Sequence, residues 1–257
     1  MSLIGLIPAA GKGTRLHPLP FSKELYPIGY HEVQIDGESK LRPKVVSQYL
    51  VNHMTRMGVE KIIITLGPGK SDIMDYYGSG RTTGVPIVYN FQSVAKGMPY
   101  ALDLSFPWLR PDDVIVFGMS DTIIEPVNAF VDLKTTFEKL RPDLMLGLFP
   151  TQNPKKFGMV DYNLQTHLVA ATIDKPKDTQ LTHMWGCCFW NYTFANFMHE
   201  FLKACTVSDG KEVVFGDVIN QAIKQGLRVC AQSVNEGRYI DIGTIEDLDQ
   251  AIKQFHL

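Results

Sequence analysis

The chain has 257 residues, of which 45% are hydrophobic and 20% charged, and its formal net charge at pH 7 is −2. A chain of this length and composition can bury a full core, and we expect a single domain over residues 1–257. The charge argues against a nucleic-acid partner, because no basic stripe is available to replace the counterions of a phosphate backbone. No stretch reaches the roughly 20 apolar residues of a membrane span and no signal peptide is recognisable, so we expect a cytoplasmic protein without a membrane partner.

The first predicted element is a short buried strand over residues 3–7, followed by a loop of small residues. Small side chains leave room for a ligand against the backbone, and a run of exposed N–H groups can receive phosphate oxygens. The residues that offer this here are Ala9, Ala10, Gly11 and Gly13. Arg15 and Lys23 then place two cations beside the loop, which is therefore our candidate active site.

Two common phosphate-binding loops do not fit this stretch. A dinucleotide site needs a helix that opens at once under the pyrophosphate, and Pro18 and Pro20 prevent one. A kinase-type phosphate loop needs Gly-Lys-Ser/Thr after the glycines, and that triplet is absent. The glycines alone could also form a tight turn with solvated cations, so they do not settle the function.

The loop combines Gly11-Lys12-Gly13-Thr14-Arg15-Leu16 with Lys23-Glu24-Leu25-Tyr26-Pro27-Ile28, which begins eight residues after Arg15. In this combination the sequence resembles the sugar-1-phosphate nucleotidyltransferases, a family of thymidylyl- and uridylyltransferases that make nucleotide sugars. The resemblance implies an α/β fold of three layers, Rossmann-like, with a mostly parallel sheet and a small antiparallel appendage. It also implies Mg²⁺ as cofactor and a nucleotide-binding loop formed by Ala9, Ala10, Gly11, Gly13, Thr14 and Arg15.

The next segments predict alternating strands and helices. Residues 29–40 are polar with a turn signal at Asp36-Gly37, which predicts a small exposed hairpin. Pro43 stands where a first helical residue is expected, and apolar residues then recur at helical spacing up to Gly58. His53 lies on that apolar face, and we interpret it as a core histidine rather than a ligand.

The continuous β-branched run at residues 61–66 predicts a buried parallel strand, followed by a short helix around residues 71–77 and a strand at 86–89. Strands that alternate with helices indicate a parallel sheet covered on both faces. In such sheets ligands bind beyond the carboxyl ends of the strands, which is where the loop at Gly11 would lie.

Residues 90–104 resemble the family's next signature, a glutamine five residues before a glycine that opens a helix. Here these are Gln92 and Gly97. In the family the glutamine helps to recognise the base, which would place both residues in the nucleotide site. A polar strand end before an ordinary helix start is the alternative interpretation.

Residues 114–118 predict another buried strand, and Met119-Ser120-Asp121-Thr122 follows it. A nucleophile elbow is excluded there because Thr122 stands where its last glycine is required. The position matches the family's Gly-Asp-Asn/Thr, in which the aspartate binds metal. Asp121 could alternatively only cap the next element.

From residue 151 to 191 the pattern changes to short alternating stretches, which predict antiparallel strands against the parallel sheet. Phe157-Gly158-Met159-Val160 resembles the family's Tyr-Gly-Val-Val, and Asp174-Lys175-Pro176 its Glu-Lys-Pro. The family holds the sugar hydroxyls and the sugar phosphate with these residues and with a pocket-floor glycine. The resemblance therefore assigns Gly158, Asp174, Lys175 and Gly186 to the sugar phosphate. Asp174 is one methylene shorter than the family's glutamate, which bears on the identity of the sugar.

The last part of the chain predicts helices at 194–205 and 213–226, a strand at 228–234 and a final helix from Ile245. Before that helix, Tyr239-Ile240-Asp241-Ile242-Gly243-Thr244 matches the family's aromatic-x-Asp-x-Gly-Thr. The resemblance implies that Asp121 and Asp241 together bind Mg²⁺.

The implied activity is the transfer of a nucleotidyl group from dTTP or UTP to a sugar 1-phosphate, glucose 1-phosphate in the first instance, with release of pyrophosphate. Arg15, Lys23 and Asp121 would be catalytic, residues 1–150 would bind the nucleotide and residues 151–257 the sugar phosphate. Two alternatives stay open: a cytidylyltransferase that acts on another sugar or alcohol phosphate, and a catalytically silent regulator that binds a nucleotide sugar. The base and the oligomeric state are also open, and a homo-oligomer is compatible with the sequence.

Overall fold

The computed structural model describes residues 2–205, 212–234 and 236–255. The strands in these residues are β1 Ser2–Ala9, β2 Pro27–Ile35, β3 Glu38–Val45, β4 Lys61–Leu66, β5 Ile87–Phe91, β6 Asp113–Gly118, β7 Thr122–Glu125, β8 Leu144–Pro150, β9 Gly158–Tyr162, β10 Val169–Asp174, β11 His183–Asn191, β12 Val229–Ser233 and β13 Arg238–Asp241. The α-helices are α1 Val46–Arg56, α2 Ser71–Tyr77, α3 Met98–Asp103, α4 Ala129–Leu140, α5 Tyr192–Ala204, α6 Phe215–Lys224 and α7 Ile245–Phe255.

The main sheet has the strand order β5-β4-β1-β6-β11-β8-β12, and β9 and β10 extend from the side of β11. Strands β5, β4, β1 and β6 are parallel, and β12 is parallel to β8. Strand β11 runs antiparallel between β6 and β8. The expected α/β fold with a mostly parallel sheet is therefore confirmed, and one of the antiparallel strands of residues 151–191 lies inside the main sheet.

The sheet separates two apolar cores, because successive side chains of a strand point to opposite faces. In β1, Leu3 and Ile7 pack into the core that also contains side chains of α1, α2 and α4. Ile4 and Leu6 pack into the core on the other face, with side chains of α3, α5 and α6. These two helical layers and the sheet make the three layers that were expected.

The predicted hairpin exists as β2 and β3, but the predicted helix start at Pro43 is wrong. Pro43 lies in β3, opposite Tyr30, and α1 begins at Val46. A two-stranded ribbon leaves one edge of each strand unpaired, so a proline without an N–H can be accommodated there. The hairpin and α7 enclose a small third apolar core that includes Leu16, Ile28 and Leu248.

The histidine that the sequence placed in the core is buried there. His53 is buried on α1, stacks on Phe130 with ring centroids 4.7 Å apart and bonds the carbonyl oxygen of Ile124 at 2.9 Å. The cysteines are free thiols, and those at 187, 188 and 230 are buried. Within the described ranges, no helix has both the length and the apolar character needed to cross a bilayer.

Candidate active site

A cavity of about 400 Å³ lies beyond the carboxyl ends of the parallel strands. It is bounded by the loops that follow β1, β5 and β6, because the carboxyl ends of parallel neighbours meet at one edge of the sheet. Several residues that the sequence assigned to the nucleotide and to catalysis line it: Ala10, Gly11, Arg15, Lys23, Gln92, Gly97 and Asp121. The topology thus brings together residues from three separate loops.

Lys23 and Asp121 form an ion pair at one side of this cavity. Burial lowers the pKa of Lys23, but the charge of Asp121 and its hydrogen bond outweigh burial, so the net shift of the Lys23 pKa is upward. The loop that carries Asp121 is held to β1 because the Ser120 hydroxyl donates to the carbonyl oxygen of Pro8 at 2.9 Å. Lys23 is therefore a fixed, fully charged cation in the cavity.

Asp241 lies beside Asp121 because β13 pairs with β7. In that ladder Asp241 stands opposite Thr122, and the N–H of Ile242 donates to the Asp121 carbonyl oxygen at 3.1 Å. Burial raises the pKa of Asp241, the charge of Asp121 raises it further, and Lys156 acts in the opposite direction. The two carboxylates are thus close enough to repel each other.

Arg15 approaches the turn at Gly243, next to Asp241, from the glycine-rich loop. A Cβ added at Gly243 would lie 3.1 Å from Arg15 Nη2. The same Cβ would lie 3.0 and 3.1 Å from the two carboxylate oxygens of Asp241. The N–H of Gly243 also donates to Asp241 Oδ1 at 2.9 Å. A side chain at position 243 would therefore displace either Arg15 or Asp241.

The Asp121–Asp241 pair fits a magnesium ion. Mg²⁺ takes one or two carboxylates and fills its other positions with water and phosphate oxygens. Among the residues that the structure describes, no group of three or more His, Cys, Asp or Glu is placed to hold a metal, so a site built from more protein ligands is not available there. A cation between the two carboxylates would relieve the repulsion that raises the pKa of Asp241.

The residues assigned to the sugar phosphate do not line this cavity. Gly158 of β9 pairs with Asp174 of β10, and the N–H of Lys175 donates to the Phe157 carbonyl oxygen at 3.0 Å. The side chains of Asp174 and Lys175 are exposed. These residues therefore form a separate group on the antiparallel strands.

Aromatic rings connect this group to the paired carboxylates. A Cβ at Gly186 would lie 2.5 Å from the ring of Tyr239, and Tyr239 contacts Phe157 with ring centroids 5.9 Å apart. Burial raises the pKa of Tyr239 well above its usual range, and the charges of Asp241 and Asp121 act in the same direction. Tyr239 is thus a neutral phenol that adjoins both Gly186 and the carboxylate pair.

Three predicted nucleotide residues lie outside the cavity. Ala9 is buried at the end of β1. Gly13 and Thr14 line a neighbouring cavity of about 500 Å³ on the other side of their loop. Lys23 lines both cavities, so the two spaces meet at its side chain.

Sequence reasoning missed several charged residues around the site. Lys156 contacts Asp241 at 3.2 Å and also pairs with Asp247. Glu212 lies against Gly97, where its Oε1 atom is 2.9 Å from the position of an added Cβ. Lys70 forms a buried ion pair with Glu24 at 2.6 Å. Lys156 directly precedes the Phe157-Gly158 motif, which is a weak signal, and the sequence offers none for Lys70 or Glu212.

Comparison with known proteins places these observations in a family. Residues 4–256 match the profile described as nucleotidyl transferase. The chain is 25% identical over 253 residues to UTP–glucose-1-phosphate uridylyltransferase AglF of Haloferax volcanii, with 95% of this chain and 92% of that protein covered. It is 26% identical over 249 residues to the glucose-1-phosphate thymidylyltransferase of Streptomyces griseus, and the aligned region covers 95% of this chain but 63% of that protein.

Solved structures show the same fold. A Bacillus anthracis protein assigned as a glucose-1-phosphate thymidylyltransferase, in complex with sucrose, superposes with a TM-score of 0.82 at 22% identity and covers 99% of this chain and 95% of its own. A UDP-glucose pyrophosphorylase complexed with UDP-glucose superposes with a TM-score of 0.80 at 18% identity, over 99% and 98% of the two chains. At these identities the likeness supports the fold alone.

Proposed function

The chain belongs to the nucleotidyl transferase family, and on that premise we propose that it transfers a nucleotidyl group from UTP or dTTP to a sugar 1-phosphate. The observation that carries the proposal is the convergence of Arg15, Lys23 and the Asp121–Asp241 pair at one edge of the sheet. Relatives named as uridylyltransferases and as thymidylyltransferases have nearly equal identity to this chain, and both kinds use glucose 1-phosphate by name.

The reaction needs no nucleophile from the protein. An oxygen of the sugar 1-phosphate attacks the α-phosphorus of the triphosphate, the bond from that phosphorus to the bridging oxygen breaks, and pyrophosphate leaves with the electron pair. Phosphate is already ionised at neutral pH, so no general base is required. The main obstacle is the negative charge of two substrates, and positioned cations are the direct way to overcome it.

Each cation has a distinct part in this proposal. Arg15 binds the α-phosphate and the leaving phosphates, because its planar guanidinium can donate two parallel hydrogen bonds. Lys23 supplies a point charge between the two cavities, and Lys175 supplies one on the sugar phosphate. Asp121 and Asp241 would hold Mg²⁺, whose chemistry at this place is to neutralise charge on the phosphate oxygens.

The remaining residues fix the substrates. Gln92 is buried at the wall of the cavity and is assigned to the base, with Gly97 leaving room beside it. Gly11 leaves open space next to the backbone, where the nucleotide can approach the N–H groups of the loop. Gly158, Asp174 and Gly186 are assigned to the sugar.

A pyrophosphate-release screen tests the proposal. The purified protein is incubated with Mg²⁺ and each of UTP, dTTP, CTP, ATP and GTP against a panel of sugar 1-phosphates, with reactions lacking the sugar phosphate as controls. We expect release with UTP or dTTP and glucose 1-phosphate. Release with CTP alone would favour the cytidylyltransferase, and nucleotide-sugar binding without release from any pair would favour a silent regulator.

A further inference from the structure

Three successive residues of the active-site loop point in alternating directions. The N–H and the hydroxyl of Ser22 both donate to the Asp72 carboxylate, at 2.6 Å each. The next residue, Lys23, turns to Asp121 in the cavity. Glu24 turns back and accepts a hydrogen bond from Lys70 Nζ at 2.6 Å. The cation in the cavity is thus flanked on both sides by residues bound to the segment formed by the β4–α2 loop and the first residues of α2.

That segment, residues 67–72, contacts the loop at a third point. A Cβ at Gly67 would lie 2.7 Å from the carbonyl oxygen of Ala10 and 3.2 Å from its Cα. The backbones of the two loops are therefore in contact where the glycine-rich stretch begins. We call residues 67–72 the backing segment.

The Glu24–Lys70 pair is not explained by stability. Glu24 is 1% exposed and Lys70 is 6% exposed. Removal of two charges from water costs about as much free energy as their attraction returns, so apolar residues of similar volume often serve as well or better. A buried ion pair beside a catalytic site therefore calls for another role.

We propose that the Glu24–Lys70 ion pair, seated on the backing segment, positions Lys23 for nucleotidyl transfer. This inference rests on the proposed function. Lys23 has a long and flexible side chain, and its ammonium can stay between the two cavities only if its backbone is fixed. Glu24 fixes that backbone directly after Lys23, and Ser22 does so directly before it. Glu24 borders the cavity that contains Asp121, and Lys70 borders the one that contains Gly13 and Thr14. Because their charged groups are bonded to each other, we assign both as positioning residues.

The Glu24→Leu/Lys70→Met double variant tests the pair. It removes both charges together and leaves no buried charge without a partner, so the fold should be kept. Thermal unfolding verifies this. A displacement of about 1 Å at a catalytic group can lower the rate on the order of 100-fold, so we expect kcat to fall by about that factor with little change in KM. The matched control is Asp249→Leu/Lys253→Met, which removes an exposed ion pair on α7 and should leave kcat unchanged.

Combination with Lys23→Met shows whether the pair acts through Lys23. If it does, adding the two substitutions to Lys23→Met should lower kcat by no more than a few-fold further, because the ammonium that the pair positions is already absent. An equal loss in both backgrounds, or a wild-type kcat in the folded double variant, would overturn the proposal.

A crystal structure of the double variant gives a readout that does not depend on turnover. We expect Lys23 Nζ to leave Asp121, and an unchanged Lys23–Asp121 contact would overturn the inference. If the wild-type protein has no activity with any substrate pair, the proposed function fails instead, and the displacement of Lys23 still decides whether the pair positions it.

Discussion

Lys23 and Asp121 form an ion pair although 98 positions of the sequence separate them. One is a cation assigned to phosphate and the other a carboxylate assigned to metal. In the free protein each therefore takes the place of the ligand that the other would bind. Lys23 stands where Asp121 would meet the metal, and Asp121 stands where Lys23 would meet a phosphate. We expect triphosphate and Mg²⁺ to replace these partners together, so that the metal binds weakly to the free protein and more tightly when the nucleotide is present.

Arg15→Ala should lower kcat by about 100- to 1000-fold, because it removes a donor from charge that develops in the transition state. Arg15 is exposed, so the melting temperature should not change. Arg15→Lys should recover only part of the rate, since lysine lacks the planar fork. Steady-state kinetics with the exposed Lys203→Ala as control measure this. Turnover of Arg15→Ala within a few-fold of wild type would show that the loop is not the catalytic site.

Asp121→Asn and Asp241→Asn should each abolish Mg²⁺-dependent turnover while the protein remains folded. Among the residues that the structure describes, the site has only two carboxylates. Each change removes one of these anionic oxygen ligands. Rates over a titration of Mg²⁺, together with circular dichroism, measure both effects. Asp249→Asn, an exposed carboxylate on α7, is the control. A wild-type Mg²⁺ titration in either variant contradicts the shared metal site.

The sequence was most informative where a motif follows a buried strand. Asp121 lies three residues after the end of β6 and the glycine-rich loop directly follows β1, so the parallel topology brings them together without further information. Pro43 shows the limit of local rules, because it obeys the helix-start pattern and yet lies in a hairpin strand.

Contacts between distant segments could not be predicted. In the sequence Glu24 and Lys70 resemble ordinary surface charges, and only the fold buries them against each other. Lys156 likewise meets Asp241 and Asp247, which lie far from it in the sequence, only in the folded chain. Pairs of this kind depend on the whole tertiary structure, and a single sequence contains no periodic signal for them.

Lys175→Ala should weaken the binding of the sugar 1-phosphate about tenfold and leave nucleotide binding unchanged. A hydrogen bond to a charged group is worth about 1.5–3 kcal/mol, and solvent reduces this at an exposed lysine. Calorimetric titration of each ligand gives both Kd values, and Lys177→Ala is a matched control two positions away. Equal losses for the two ligands, or a loss for the nucleotide alone, would assign Lys175 to the other half of the site.

Gly186→Ala should lower the stability of the protein, whereas Gly11→Ala should weaken nucleotide binding without lowering stability. A Cβ at Gly186 would lie 2.5 Å from the Tyr239 ring and 2.9 Å from Phe149, so we expect a loss of about 1–3 kcal/mol in the free energy of unfolding. A Cβ at Gly11 meets nothing within 4 Å, so stability should be kept while KM for the nucleotide rises. Urea unfolding and kinetics on both variants measure this. A stable Gly186→Ala protein would contradict the packing around Tyr239.

The stability of the protein should fall as the pH is lowered below about 6.5, in part because of His53. Burial lowers the pKa of His53 below its ordinary value of 6.5, and its bond to the Ile124 carbonyl oxygen only partly opposes this. Between the two pKa values the unfolded chain binds more protons than the folded protein. The free energy of unfolding therefore rises with pH through this window and decreases as the pH falls. For one proton the change is up to about 1.4 kcal/mol per pH unit.

Urea unfolding between pH 5.5 and 7.5 tests this in the wild type and in His53→Leu. The variant loses the bond to Ile124 and is expected to be less stable at pH 7.5, but its stability should depend less steeply on pH. The other six of the seven histidines are present in both proteins, so to a first approximation their contributions cancel in the difference between the two slopes. Equal slopes would mean that His53 titrates alike in the folded and unfolded states, which is incompatible with a neutral histidine stacked on Phe130 in the core.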